Sequence, residues 1–89
     1  MNLNREEEGG VFVNIQLSDV TVHIDENLEA DRRGAIEDAV RAIDGVISVH
    51  NGDDKPHLMI VQYDPAKTNS ATVLSTVTGE GVHAELIGL

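Results

Sequence analysis

With 89 residues the chain allows one domain, and a domain of this size must use nearly all its apolar residues in one core. Sixteen acidic residues against six basic ones give a net charge of −10, which repels nucleic-acid phosphates and anionic membrane surfaces and favours cations or basic partners. The complete lack of cysteine excludes disulfides, thiolate metal sites and thiol catalysis.

One Tyr, one Phe and no Trp make the expected core aliphatic. No run approaches the roughly 20 apolar residues that a membrane-spanning helix needs. Residues 1–10 read as a flexible acidic leader. Glu6, Glu7 and Glu8 repel one another, Gly9-Gly10 breaks any helix, and the order of a secretory signal is missing. A soluble, cytoplasmic protein is the expectation, with residues 11–89 forming a single domain.

Val11, Val13, Ile15 and Leu17 alternate with other residues, so 11–17 reads as an extra N-terminal strand. The alternation resumes as Val20, Val22 and Ile24 with the opposite parity, which predicts a bulge, kink or tight turn at Ser18-Asp19. A helix follows, with Asn27 as its expected N-cap and Glu29 and Asp31 in its first turn. Leu28, Arg32, Ile36, Val40 and Ile43 fall along one side of it, and Gly45 is placed to end it in a left-handed conformation.

Residues 46–50 and 57–64 read as the arms of a hairpin across the polar turn 51–56. A second helix is expected over 69–78, with Val73, Leu74 and Val77 as its apolar face. Its Thr and Val content gives weak helix propensity, so packing must hold it. Gly79 and Gly81 stop it, and 83–89 reads as the last strand. The order predicts an α+β ferredoxin-like sandwich, β-α-β-β-α-β, with an antiparallel sheet and the extra N-terminal strand. One sheet face meets both helices and the other is open.

Several segments carry a family resemblance. Val20-Thr21-Val22-His23-Ile24-Asp25 resembles the first strand of heavy-metal-associated domains and copper chaperones. The run from Ala35 through Ile43-Asp44-Gly45-Val46 is similar to their first helix and its Gly-Val exit, and Ile47-Ser48-Val49 to their second strand. Tyr63-Asp64-Pro65 and Gly81-Val82-His83-Ala84-Glu85-Leu86 are similar to the end of their third strand and the start of their fourth. The resemblance implies the same fold and a role in metal homeostasis. It also implies two metal-holding cysteines, three positions apart, at the start of the first helix. Counted back from Gly45-Val46, those places fall on Glu29 and Arg32, a hard oxygen ligand and a fixed cation. Thiolate capture of copper(I) is therefore not expected.

Four histidines remain. Strand direction places His23, His50, His57 and His83 toward the end of the sheet that holds the metal loop in such relatives. By parity, Val22, Ile24, Met59, Val61, Tyr63, Ala84 and Leu86 face the helices, while His23, His83 and His50 lie on the open face. His23 and His83 are expected as cross-strand neighbours, with Asp25 and Glu85 beside them. Imidazole and carboxylate donors suit Zn, Ni or Cu(II), so His23, His83, Asp25 and Glu85 form the candidate metal set. Leu58, Ile60 and Ile87 fall on the same open face and ask for a cover.

No nucleophile motif and no phosphate loop is present. Asp53-Asp54 and Glu37-Asp38 read as solvated charges on a turn and a helix face. Two function classes emerge. One is a non-enzymatic module, without a cofactor, that docks a protein partner or a second copy of itself through Leu58, Ile60, Ile87 and the strand edges. The other is metal binding or carriage through His and carboxylate ligands. Neither reading involves nucleic acid or a membrane.

Overall fold

The computed structural model describes residues 16–87. The expected leader 1–10, the first five residues of the expected extra strand 11–17, and residues 88–89 lie outside them. Gln16 and Leu17 are exposed and belong to no strand.

Six elements follow in the expected order: β1 (Ser18–Ile24), α1 (Ala30–Arg41), β2 (Val46–His50), β3 (Leu58–Tyr63), α2 (Ser70–Gly79) and β4 (Ala84–Ile87). The strands form one antiparallel sheet in the order β2-β3-β1-β4. Strict alternation along β1 and β3 decides which side chains are covered. Val20, Val22, Ile24, Met59 and Val61 point under the helices and are buried, and Tyr63, Ala84 and Leu86 pack beside them. Ile36 and Val40 of α1 and Val73 and Val77 of α2 close the core from above. Among the described residues, no helix is long and apolar enough to cross a membrane.

β1 pairs regularly with β3 from Ser18 opposite Tyr63 onward; the parity switch expected at Ser18-Asp19 turns on residues 11–17, most of which lie outside the described residues. Among the described residues the register shifts between Val46 and Ser48, where Ile47 is exposed. Two local expectations, the N-cap of α1 and the charged residue in its apolar stripe, are corrected. The N-cap of α1 is Glu29, without a side-chain cap, and Asn27 lies two residues earlier with its Oδ1 2.9 Å from Nε2 of His57. The charged residue within the apolar stripe is Arg33, buried with Ile36 and Val40, whereas Arg32 lies at the edge. Arg33 donates to the Leu28 carbonyl and pairs with Asp53, which ties the start of α1 to the β2–β3 loop.

Gly45 has φ +102°, as expected, but α1 ends earlier, with Ala42 as its C-cap. Two short turns, Ile43 N–H to the Val40 carbonyl and Val46 N–H to the Ile43 carbonyl, carry the chain on to β2. Gly45 is the residue that makes this descent possible. A Cβ there would lie 2.6 Å from Cβ of Lys67.

Candidate metal centre

The open face of the sheet is built from the odd-numbered residues of β1 and their partners. His23 stands near the end of β1, opposite Leu58 on β3 and opposite Glu85 on β4. Its Nδ1 lies 2.9 Å from Oε2 of Glu85 and 3.2 Å from Oδ1 of Asp25. One ligand atom from each of His23, Asp25 and Glu85 falls within 4.8 Å of the other two. With Nδ1–H directed at two carboxylates, the shared proton occupies the place that a cation would take. Asp25 and Glu85 are about half exposed, so an ion would keep open positions toward solvent.

His57 buttresses this cluster. Its ring stacks on that of His23, with centroids 5.7 Å apart and planes 16° from parallel. Its Nδ1 lies 2.6 Å from the Ile24 carbonyl oxygen and its Nε2 lies 2.9 Å from Oδ1 of Asn27, so whichever nitrogen carries the proton has an acceptor within reach. Both ring nitrogens thus face neighbours outside the cluster, and the ring forms a wall against which His23 rests.

His83 does not stand opposite His23; the register puts Glu85 there instead. The next step of the ladder joins Asp25 N–H to the His83 carbonyl at 2.9 Å, so His83 is the diagonal neighbour of His23. Its ring is held elsewhere: Nδ1 is 2.8 Å from Oε2 of Glu26, and its backbone N–H donates to both oxygens of that carboxylate, at 3.0 and 3.1 Å. The hydrogen bonds from His83 hold the Glu26 carboxyl below its usual range, and the same pairing raises the His83 imidazole above its own. His50 lies on the open face two strands away, opposite Ile60. Three of the four candidate ligands therefore come together, and the fourth is held beside them by Glu26.

Leu58, Ile60 and Ile87 share this face as parity predicts. Ile60 and Ile87 flank Thr21 across the sheet, 47% and 38% exposed. A shallow cavity of about 320 Å³ lies beside them, lined by Leu58 and Ile60, with His50, Asp54 and Lys55 among the polar side chains around it.

The helix-start loop does not fit a soft metal ion. Glu29 caps α1, and the Arg32 guanidinium reaches the Glu80 carbonyl and lies 3.4 Å from Oε1 of Glu80. A guanidinium already bridges the first turn of α1 and the α2–β4 connection, and no thiolate exists to displace it.

No protein-family model and no curated protein matches the chain. Solved structures do. The N-terminal domain of a potential copper-translocating P-type ATPase from Bacillus subtilis, in its Cu(I)-loaded state, superposes with a TM-score of 0.72 at 18% identity, over 80% of this chain and 88% of that one. Oxidized MerP from Ralstonia metallidurans CH34 gives 0.71 at 17% identity, over 80% and 97%. The CopZ metallochaperone gives 0.67 at 21% identity, over 79% and 100%. The chain thus has the ferredoxin-like fold of heavy-metal-associated domains, without their cysteines.

The Glu26 clamp, the His57 buttress and the Arg33–Asp53 tie are not visible in the sequence pattern. Glu26 and Asn27 lie in a loop, where alternation no longer assigns side chains to a face. His57 precedes its strand by one residue. Arg33 could have been found by extending the spacing Ile43, Val40, Ile36 one further turn back.

Proposed function

We propose that this domain is a non-enzymatic metal-handling module in which imidazole and carboxylate replace thiolate. The observation that carries the reading is the convergence of His23, Asp25 and Glu85 ligand atoms within 4.8 Å on an open sheet face. Support comes from the scaffold, since the similar structures include a Cu(I)-loaded domain and a metallochaperone. The donor set changes the cargo: one nitrogen and two carboxylate oxygens suit Zn²⁺, Ni²⁺ or Cu²⁺ and disfavour copper(I). The net charge of −10 draws cations toward it. Half-exposed ligands fit an ion that is taken up and passed on. Zn²⁺ titration by calorimetry tests the reading: wild type binds one ion, and His23→Ala abolishes binding. Wild type that takes up no Zn²⁺ below millimolar concentration overturns it.

A second reading is docking through the same face, onto a protein partner or a second copy. The exposure of Ile60 and Ile87 around Thr21, next to the cavity, favours it. Sedimentation of wild type against Ile60→Glu checks the self-association arm. A wild type that stays monomeric at high concentration, with or without Zn²⁺, removes that arm.

A further inference from the structure

The three-ligand cluster is one donor short of a closed four-coordinate zinc site. The β1–β4 register shows where a fourth donor stands. His23 is opposite Glu85 and Ile24 is opposite Ala84, and the next rung joins Asp25 to His83. Residues two apart on a strand share a face, so His23, Asp25, His83 and Glu85 form a two-by-two block on the open side. His23 and His83 are the diagonal pair of that block. Diagonal neighbours on a sheet lie roughly 7–8 Å apart. Two imidazoles can bridge that gap to one ion bound at about 2.0–2.1 Å from each nitrogen.

We infer that a bound divalent cation draws His83 away from Glu26 and takes it as the fourth ligand, closing a His23–Asp25–His83–Glu85 centre. The inference rests on the metal reading above and adds the ligand exchange. Three observations favour it. The His83 side chain is 85% exposed, so little packing holds its ring in place. The exchange orphans no backbone donor, because Glu26 also accepts from the His83 N–H at 3.0 and 3.1 Å and keeps that contact when the ring leaves. His57, the other nearby imidazole, turns both its nitrogens away from the cluster, toward the Ile24 carbonyl and Oδ1 of Asn27. The cost is one exposed hydrogen bond from Nδ1 to Glu26. The consequence is that ion binding loosens one tie between the β1–α1 loop and β4.

The test is Zn²⁺ titration by calorimetry at neutral pH on the full chain, as wild type, His23→Ala, His83→Ala and Glu26→Gln. The ring ¹H–¹⁵N resonances of His83 are followed in parallel. His83→Ala is expected to weaken Zn²⁺ by at least about tenfold, more than the loss of a weak outer-shell partner. Glu26→Gln, which frees the ring, is expected to bind as tightly as wild type or more tightly. The His83 ring resonances move with one equivalent of Zn²⁺. If His83→Ala binds like wild type and those resonances stay in place while His23→Ala loses the ion, the centre has three protein ligands and the exchange is refuted, with the metal reading intact. If Glu26→Gln weakens binding tenfold, Glu26 is itself a ligand and the exchange is likewise refuted. If His23→Ala also binds like wild type, the metal reading itself falls.

Discussion

The two faces of the sheet come from the same strands and obey opposite rules. Under the helices, Val22, Met59 and Val61 have no exposed surface. One residue away along the same strands stand Thr21 and His23, half-buried, and Ile60, exposed. Burial governs the first set, and their shapes are interchangeable only at the cost of cavities. The second set is free of that constraint, so it can hold polar groups in a fixed geometry on a backbone the first set keeps rigid. The open face can therefore vary its side chains without refilling the core.

The sharpest way to break this comparison is a pair of neighbours on β3. Met59→Ala is expected to destabilise by about 2–5 kcal/mol, the range for emptying a closely packed site. Ile60→Ser should fall within about 0.5 kcal/mol of wild type, as for an ordinary surface change. Chemical denaturation with an unchanged m-value reads both. An Ile60→Ser cost approaching that of Met59→Ala means the open face is covered in solution.

Two glycines make a second contrast. Gly45→Ala meets a positive φ and a Cβ contact of 2.6 Å, so it is expected to cost roughly 2–3 kcal/mol. Gly34 lies within α1, and nothing stands within 4 Å of its Cβ position. Gly34→Ala is therefore expected to stabilise by up to about 1 kcal/mol. Thermal melts of the two variants should move in opposite directions. If Gly45→Ala melts with wild type, the turn before β2 is not a constraint on the fold.

The helices that cover the core are started differently. Asn69 caps α2 through its side chain, accepting the Thr72 N–H at 2.8 Å. Glu29 has no such bond. Asn69→Ala is expected to cost about 1 kcal/mol and Glu29→Ala close to nothing, by the usual worth of a cap. Equal losses would show that Glu29 stabilises the start of α1 by some other route.

The covered face was legible in the sequence and the open face only in part, for a physical reason. Val20, Val22 and Ile24 repeat with the period of the strand, and burial makes that period obligatory, so the elements and the core could be read. Parity also placed His23, Leu58, Ile60 and Ile87, because each sits inside a strand. It failed for His83 as a direct partner of His23, since a register offset of two residues preserves parity while replacing one cross-strand neighbour by the next. It could not reach Glu26 or Asn27 at all. Their positions depend on loop geometry and on contacts with residues up to 57 positions away.

The gentlest test of the comparison is pH. Glu26 and His83 brace the open end of β1 against β4, and their pairing is electrostatic, whereas the helix-covered core has no group of this kind in its cluster. Glu26 is held below its ordinary 4.5, so its share of stability is complete above that value and is lost as the pH falls through the lowered one. His83 is held above its ordinary 6.5, so its share is complete below that value and is lost as the pH rises through the raised one. Both shares act together between 4.5 and 6.5. The stability difference between wild type and Glu26→Gln is expected to be largest in that window and to shrink on either side. It should also be small, because the pair is solvent-exposed and screened. The loss from Met59→Ala, by contrast, should not change across the same range. A Glu26→Gln difference that stays flat with pH would mean that Glu26 acts through its backbone hydrogen bonds to His83 N–H alone, and the ring contact contributes nothing to the fold.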